Sequence, residues 1–353
     1  MTITRAAIRG FRCFDRYDIE LDEHCTVITG PNASGKTSLL EAFHVASRLR
    51  SFRTTTTTDL IKEGAAAFSV RLFTHEDEIH VAYGADTHLA EINGTGPATR
   101  SRLMQTVSLV TITEQDLDLV QGSPEGRRNF LDQASIAHYG IEAEKNLRRY
   151  YQIHRQRTAL LNDPARWNKS SYEIITEQAW QAAATVRATR TKTMALLEAE
   201  ISTLLVETTP GLSCSFQYEP VLAESDISGP EQWCKEKEQE ERRMKRSLMG
   251  IHLDDMGIII QGKMARRFAS RGMQKMIAVL MRVAQAKLLP QKGTLLLDDL
   301  LADFDEERLQ KIMHTLVKTG LQLVFTAPAA QVNSLAYRPA FPSTAHWIHL
   351  PSY

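Results

Sequence analysis

Residues 30–37 read Gly30-Pro31-Asn32-Ala33-Ser34-Gly35-Lys36-Thr37, and this octet decides the fold. It satisfies G-x-x-x-x-G-K-[ST], in which glycines let backbone N–H groups turn inward onto phosphate oxygens and the following helix adds its positive end. On that pattern Gly30 to Thr37, with Ser38 behind them, hold the phosphates of ATP; Lys36 reaches the β- and γ-phosphates, and the Thr37 hydroxyl ligates Mg²⁺. The flanks agree. Cys25-Thr26-Val27-Ile28-Thr29 is a β-branched run that stops at Gly30, and Leu39, Leu40, Phe43, Ala46 and Leu49 then recur at helical spacing without Gly or Pro. Strand, glycine turn and helix in that order distinguish a nucleotide site from an ordinary turn.

Far downstream, Leu295-Leu296-Leu297-Asp298-Asp299 is an apolar run ending in two acids. Alone, such a pair also fits a helix start or a turn. Paired with the Lys36 loop, it reads as the second half of an ATPase site, with Asp298 on the Mg²⁺ shell and Asp299 as the catalytic group that orients the attacking water. Between the two lies Ser270-Arg271-Gly272-Met273-Gln274-Lys275, ahead of a helical stretch. A small hydroxyl residue and a Gly there are ordinarily an N-cap. They also suit a second anion site, formed by Ser270 and Gly272 closing on a nucleotide held by another copy.

Working outward, the 353 residues carry 42 Lys+Arg against 42 Asp+Glu, with 43% hydrophobic residues, which excludes a disordered or fibrous chain and suggests about two domains. Zero net charge leaves no global positive field, so any nucleic acid must be met by a local patch or by two copies together. Four cysteines with no C-x-x-C pair speak against a zinc site and for a reducing, cytoplasmic setting. No apolar run is long enough to span a bilayer, so no membrane partner is expected.

Short β-like runs (68–73, 79–83, 107–113) fill the first third. Helix formers dominate from Ser123-Pro124 onward, with helices over 124–138, 141–161 and 172–205 and a break at Asn162-Asp163-Pro164. Residues 235–246 mix both charges and read as a solvated helix face or linker. The last third alternates strands (256–261, 294–297, 321–326) with helices (273–289, 306–318), the pattern of a parallel α/β sheet. The expected class is therefore α/β: a P-loop ATPase head from residues 1–115 and 247–353, with a mainly α-helical lobe, 116–246, inserted.

The chain also resembles the RecF family of bacterial recombinational-repair ATPases, whose fold is similar to ATP-binding-cassette heads and SMC heads. The resemblance runs nearly end to end. It includes FRCF (11–14), LLEAF (39–43), RSFRT (50–54), DLDLVQGSPEGRRNFLD (116–132), QRTALLN (156–162), GIHLDD (250–255), SRGMQK (270–275), LLLDD (295–299) and ADFDEER (302–308). Four departures stand out. Met273 replaces the usual signature Gln, Ala302-Asp303-Phe304-Asp305 replaces Ser-Glu-Leu-Asp, and Ile251 and Leu253 replace Pro and Arg. Glu114-Gln115-Asp116 replaces Pro-Glu-Asp, and Gln115 is a candidate metal sensor by analogy with related ATPases.

The resemblance implies ATP-driven homodimerisation, with Lys36 and Thr37 of one copy facing Ser270 and Gly272 of the other, and a weak DNA-dependent ATPase that resets the dimer. It also implies binding at duplex/single-strand junctions, work with RecR, RecO and RecA, and a cytoplasmic, nucleoid-associated place. Candidate DNA contacts are Arg127 and Arg128 at a helix start and Arg187 and Arg190, with Lys192, on the long helix. Each is equally an ordinary solvated or internally paired charge. No aromatic interleaving is evident, so contacts to duplex phosphates are expected. Rival readings are a transporter ATPase subunit, a chromosome-structure protein or a nucleotide-binding scaffold. The interval from Lys36 to Ser270 is too long for the first and lacks the heptads and hinge of the second. The Asp298-Asp299 pair argues against the third.

Overall fold

The structure, a computed structural model, describes residues 2–86, 88–163, 165, 167–221, 228–299, 304–329 and 338–351. Pro164, Ala302 and Asp303, which the sequence reading touched, lie outside the described residues.

The chain divides into two compact units. The first comprises Met1–Leu117, Glu200–Leu212 and Arg271–Tyr353, and the second Asp118–Ala199 and Ser213–Ser270. In the first unit, β1 (Arg5–Phe11), β2 (Phe14–Glu20), β4 (Ala67–Phe73), β5 (Glu78–Gly84) and β6 (His88–Ile92) form an antiparallel sheet in the order β2-β1-β4-β5-β6. β3 (Cys25–Gly30) belongs to a second sheet, in the order β13-β3-β12-β11-β7, in which every neighbouring pair is parallel. The other members are β7 (Leu109–Ile112), β11 (Thr294–Leu297), β12 (Gln322–Pro328) and β13 (His346–His349). β3 is buried along its whole length, as its β-branched run requires of a strand covered on both faces.

Helix α1 (Lys36–Arg48) packs against strands of both sheets. Its Leu39, Leu40 and Phe43 join Phe11, Phe14, Phe68 and Val70 in one core. Burial of this size, at about 25 cal/mol per Å² of apolar surface, is what anchors the loop just before α1. α2 (Arg100–Thr106) leads into β7, and α9 (Arg271–Lys287) and α10 (Glu306–Lys318) flank β11 in sequence.

The second unit holds α3 (Asp118–Gln121), α4 (Pro124–Tyr139), α5 (Ile141–Asn162), most of α6 (Lys169–Thr208) and α7 (Pro230–Met244). Pro124 is the first residue of α4, where its missing N–H costs nothing. The unit also contains an antiparallel sheet β10-β9-β8, from β8 (Cys214–Glu219), β9 (Asp255–Ile260) and β10 (Lys263–Met264), and the short α8 (Ala265–Phe268).

These divisions differ from the expected boundaries. The head takes residues 200–212 and resumes at Arg271, not at 247. The cause is β9, which pairs along its whole length with β8 and packs on α4, so hydrogen bonds keep residues 255–264 in the helical unit. The mixed-charge run lies mostly on α7 and faces solvent, with one exception: Glu241 is fully buried and meets the Arg157 guanidinium, Tyr172 and Trp233. Among the described residues no helix is long and apolar enough to cross a membrane.

Candidate nucleotide site

The loop between β3 and α1 is shaped by residues that leave no room for side chains. A Cβ on Gly30 would stand 2.5 Å from Ser34 Oγ and 2.9 Å from the Leu350 carbonyl oxygen. Gly35 caps α1 at φ +88°, and a Cβ there would meet Cys13 Sγ at 2.7 Å and the Phe14 ring at 2.8 Å. Ala33 takes φ +65°, the strained turn of the loop. No side chain caps α1, and no acid occupies its first turn, so its leading N–H groups face the loop unopposed. Ser34 Oγ is buried with no hydrogen-bond partner. Each of these features fits an anion cradle.

Lys36 is buried, and its ammonium donates to the carbonyl oxygens of Gly30 (3.1 Å) and Pro31 (3.0 Å). These neutral acceptors hold the charge within the loop, where phosphate oxygens would be stronger partners. Parallel pairing of β3 with β12, and of β12 with β11, brings the C-terminal end of β11 beside the loop. Thr37 Oγ1 therefore donates to Asp298 Oδ1 at 3.0 Å. Thr326 Oγ1 donates to the same oxygen at 2.8 Å and accepts from the Asp299 N–H at 2.9 Å. The Asp298 N–H in turn donates to the Ile112 carbonyl at 2.9 Å. Asp299 sits at φ +46°, turning off the strand's path.

Burial pushes both carboxyls above the ordinary Asp range. For Asp298 the neighbouring charge of Asp299 adds to the rise, while hydrogen bonds from Thr326 and Thr37 oppose it; for Asp299 the charge of Lys36 opposes it. A half-buried carboxylate at Asp298 and an exposed one at Asp299, beside the Thr37 hydroxyl, form an all-oxygen donor set suited to a hard cation such as Mg²⁺. Cation binding would favour the charged form of both, against the burial that raises them and the repulsion that adds to it at Asp298. The residues thus fit both a nucleotide phosphate chain and its metal.

Thr326 is the functional residue that the sequence reading missed. Its signal was a hydroxyl closing the otherwise apolar run Leu323-Val324-Phe325. Glu41 was missed as well. Fully buried on α1, it receives Arg12 at 2.9 and 2.8 Å and Arg53 at 3.4 Å, which fastens the segment after α1 to the phosphate loop's helix. Gln115 lies exposed in the turn after β7, the strand beside β11. Asp116 in the same turn is buried and bonded to Arg282 of α9 (2.7 Å). Gly272, the second residue of α9, approaches Arg308 so closely that a Cβ would lie 3.0 Å from its Nη1. Ser270 is exposed just ahead of that helix.

The four arginines expected on DNA need correction. Arg127 is 3% exposed and grips Asp255 with two bonds of 2.8 Å, and Arg190 is 1% exposed and holds Asp132 at 2.7 and 2.9 Å. Arg187 binds Asp254 at 2.8 and 3.0 Å, and Arg128 donates to the Asp254 carbonyl at 2.8 Å. They hold the helical unit together; Arg127 and Arg190 are closed off from solvent, while Arg128 and Arg187 stay partly exposed. The sequence had offered these partners, but far away along the chain.

Residues 2–338 match the model of the RecF/RecN/SMC N-terminal domain family. The DNA replication and repair protein RecF of Protochlamydia amoebophila is 30% identical over 344 residues, covering 91% of this chain and 92% of the relative. The chain belongs to the RecF family. The RecF of Symbiobacterium thermophilum is 28% identical, covering 92% and 91%. In fold, the chain is similar to a solved structure of the recombination mediator protein RecF with ATP (TM-score 0.80, 22% identity, 93% and 92% covered). It is also similar to a Pyrococcus furiosus Smc head with an extended coiled coil (TM-score 0.56, 17% identity, 96% and 91% covered). The first unit is thus an α/β ATPase head of the RecF and SMC kind.

Proposed function

We propose that this RecF-family chain is an ATP-dependent DNA-binding protein of recombinational repair and replication restart. The observation that carries the reading is the convergence of Lys36, Thr37, Asp298 and Asp299 at one loop, with Thr326 holding both acids. In the proposed cycle, the loop N–H groups and Lys36 bind the phosphates of ATP, and Lys36 exchanges its carbonyl partners for phosphate oxygens. Mg²⁺, held by Thr37 and Asp298 when bound, would neutralise charge on the β- and γ-phosphates. Asp299 orients and deprotonates the attacking water, and Gln115 reports on the metal. Ser270 and Gly272 of a second copy close on each nucleotide, so ATP assembles a homodimer and slow hydrolysis releases it.

The dimer would clamp DNA where duplex meets single strand and, with RecO and RecR, help load RecA. This places the protein in the cytoplasm beside the nucleoid. Support comes from the names of the relatives and from the structure of the recombination mediator RecF with ATP, described for the RecFOR pathway. Met273 at the usual signature Gln favours one second reading, a nucleotide-binding scaffold with little hydrolysis.

The test is anisotropy of a labelled gapped duplex with ATP, with ADP and without nucleotide, at stated salt. Tight binding with ATP alone is expected. Equal binding in all three states would replace the gated clamp with the scaffold.

A further inference from the structure

Arg127, Arg128, Arg157, Arg187 and Arg190 of the helical unit are held by internal partners, yet one short stretch does the opposite. Gln261 to Ser270 reads QGKMARRFAS, with three cations and no acid. Lys263, Arg266 and Arg267 are all exposed, and among the described residues none of them has an ion-pair partner. Phe268 follows them with 67% of its surface exposed, and Lys263 Nζ lies 5.7 Å from the centre of its ring.

The stretch is not loose. Lys263 and Met264 pair with Ile260 and Ile259, Ala265 is buried, and the Ala269 N–H closes the turn of α8 onto the Ala265 carbonyl at 3.0 Å. The backbone therefore presents the cations and the ring in a fixed arrangement, which lowers the entropic cost of binding. A phenyl ring left in water forgoes hydrophobic stabilisation. Three cations within five residues, with no acid among them, repel one another. Both are tolerable where a ligand supplies negative charge and a flat apolar face together.

Nucleic acid supplies both. Phosphates take the cations, and an unpaired base stacks on an exposed aromatic ring whatever its identity. We propose that Lys263, Arg266, Arg267 and Phe268 form a DNA contact surface, with the cations on backbone phosphates and Phe268 stacked on the first unpaired base beside a duplex. The inference rests on the DNA-binding reading above and gives it a surface. It departs from the expectation of contacts to duplex phosphates alone, since Phe268 follows Arg266 and Arg267 directly.

The test compares full-length protein and variants in ATP on a gapped duplex, a plain duplex and a single strand, by anisotropy between about 50 and 200 mM salt. The double variant Lys263→Ala/Arg267→Ala should weaken binding to all three probes and flatten the log-affinity versus log-salt slope by about 2. Phe268→Ala should weaken the gapped and single-stranded probes by about 5- to 100-fold, leave the plain duplex unchanged, and be rescued by Phe268→Trp. Nucleotide binding and melting temperature serve as controls for folding. Wild-type binding with unchanged slopes and affinities in the variants overturns the surface. So does a double variant that loses only its binding to labelled polyglutamate, which would assign the patch to an acidic protein. Failure of the wild type on every probe overturns the DNA reading itself, and this surface with it.

Discussion

The core of the helical unit and the phosphate loop of the head treat charge in opposite ways. In the helical unit Arg157 is fully buried and its guanidinium is saturated by Glu241, Ser247, Thr176 and Tyr172. Glu241 in turn accepts from Tyr172, Trp233 and the Leu248 N–H. Burial works to raise its carboxyl, but the bonds and charge of Arg157, with Tyr172 and Leu248, hold it below the usual range. In the head, Lys36 rests on two backbone carbonyls, Ser34 Oγ has no partner, and Asp298 and Asp299 are both pushed up. A charge whose partners are complete is architecture. A charge left underpaired beside strained backbone is waiting for a ligand.

The widest gap between the units should show at Arg157. Arg157→Met leaves Glu241 buried without its counter-charge, and urea unfolding of the whole chain should register a loss of about 3–5 kcal/mol. Arg148, whose pair with Glu144 is 71% exposed on the arginine side, supplies the surface control. Arg148→Ala should change stability by less than about 1 kcal/mol. Equal losses at both positions would erase the distinction between a completed buried pair and a surface one.

A smaller effect, of a different kind, is expected at Lys36. Lys36→Ala removes the ammonium proposed to bind phosphate and should cut nucleotide affinity on the order of 100-fold, read by titration calorimetry. Its hydrogen bonds within the protein are to carbonyls, so the unfolding free energy should move by about 1 kcal/mol or less. A large stability loss with modest loss of affinity would make Lys36 a structural residue like Arg157.

Much of the head was legible because its signals are local. The phosphate loop, the β-branched strand before it, the helix after it and the acidic end of β11 each occupy a few consecutive residues. The long helices were equally plain from periodicity and from Pro124. The helical unit's ion pairs were not, since Arg157 and Glu241, or Arg127 and Asp255, are joined only by tertiary folding and leave no periodic trace. The same reason hid Thr326, whose role depends on β12 lying beside β11. It also misplaced the boundary at 247, because β8 gave no sign that it would capture β9.

The finest test uses a titratable pair in the helical unit that, among the described residues, has no opposite charge bonded to it. Tyr150 and His252 share a hydrogen bond of 2.8 Å through Nδ1, and the His154 ring centre lies 4.0 Å from that of His252. Burial, then the positive charges of His154 and Arg128, lower the His252 imidazole to about 4, against an opposing pull from Asp254 and the Ser247 backbone. Burial, with Arg157 nearby, lowers His154 too. The sign follows from proton counting. Below pH 6.5 the unfolded chain takes up a proton at His252 that the folded chain refuses until about pH 4, so stability present above 6.5 is lost through that window. Discounted for partial exposure of the ring, the loss should be about 1–2 kcal/mol. Urea midpoints of wild type and His252→Gln, compared from neutral pH to about pH 4.5, isolate it from the carboxylates. The wild type should lose more stability than the variant on acidification. Parallel curves would mean that folding leaves the proton affinity of this imidazole unchanged.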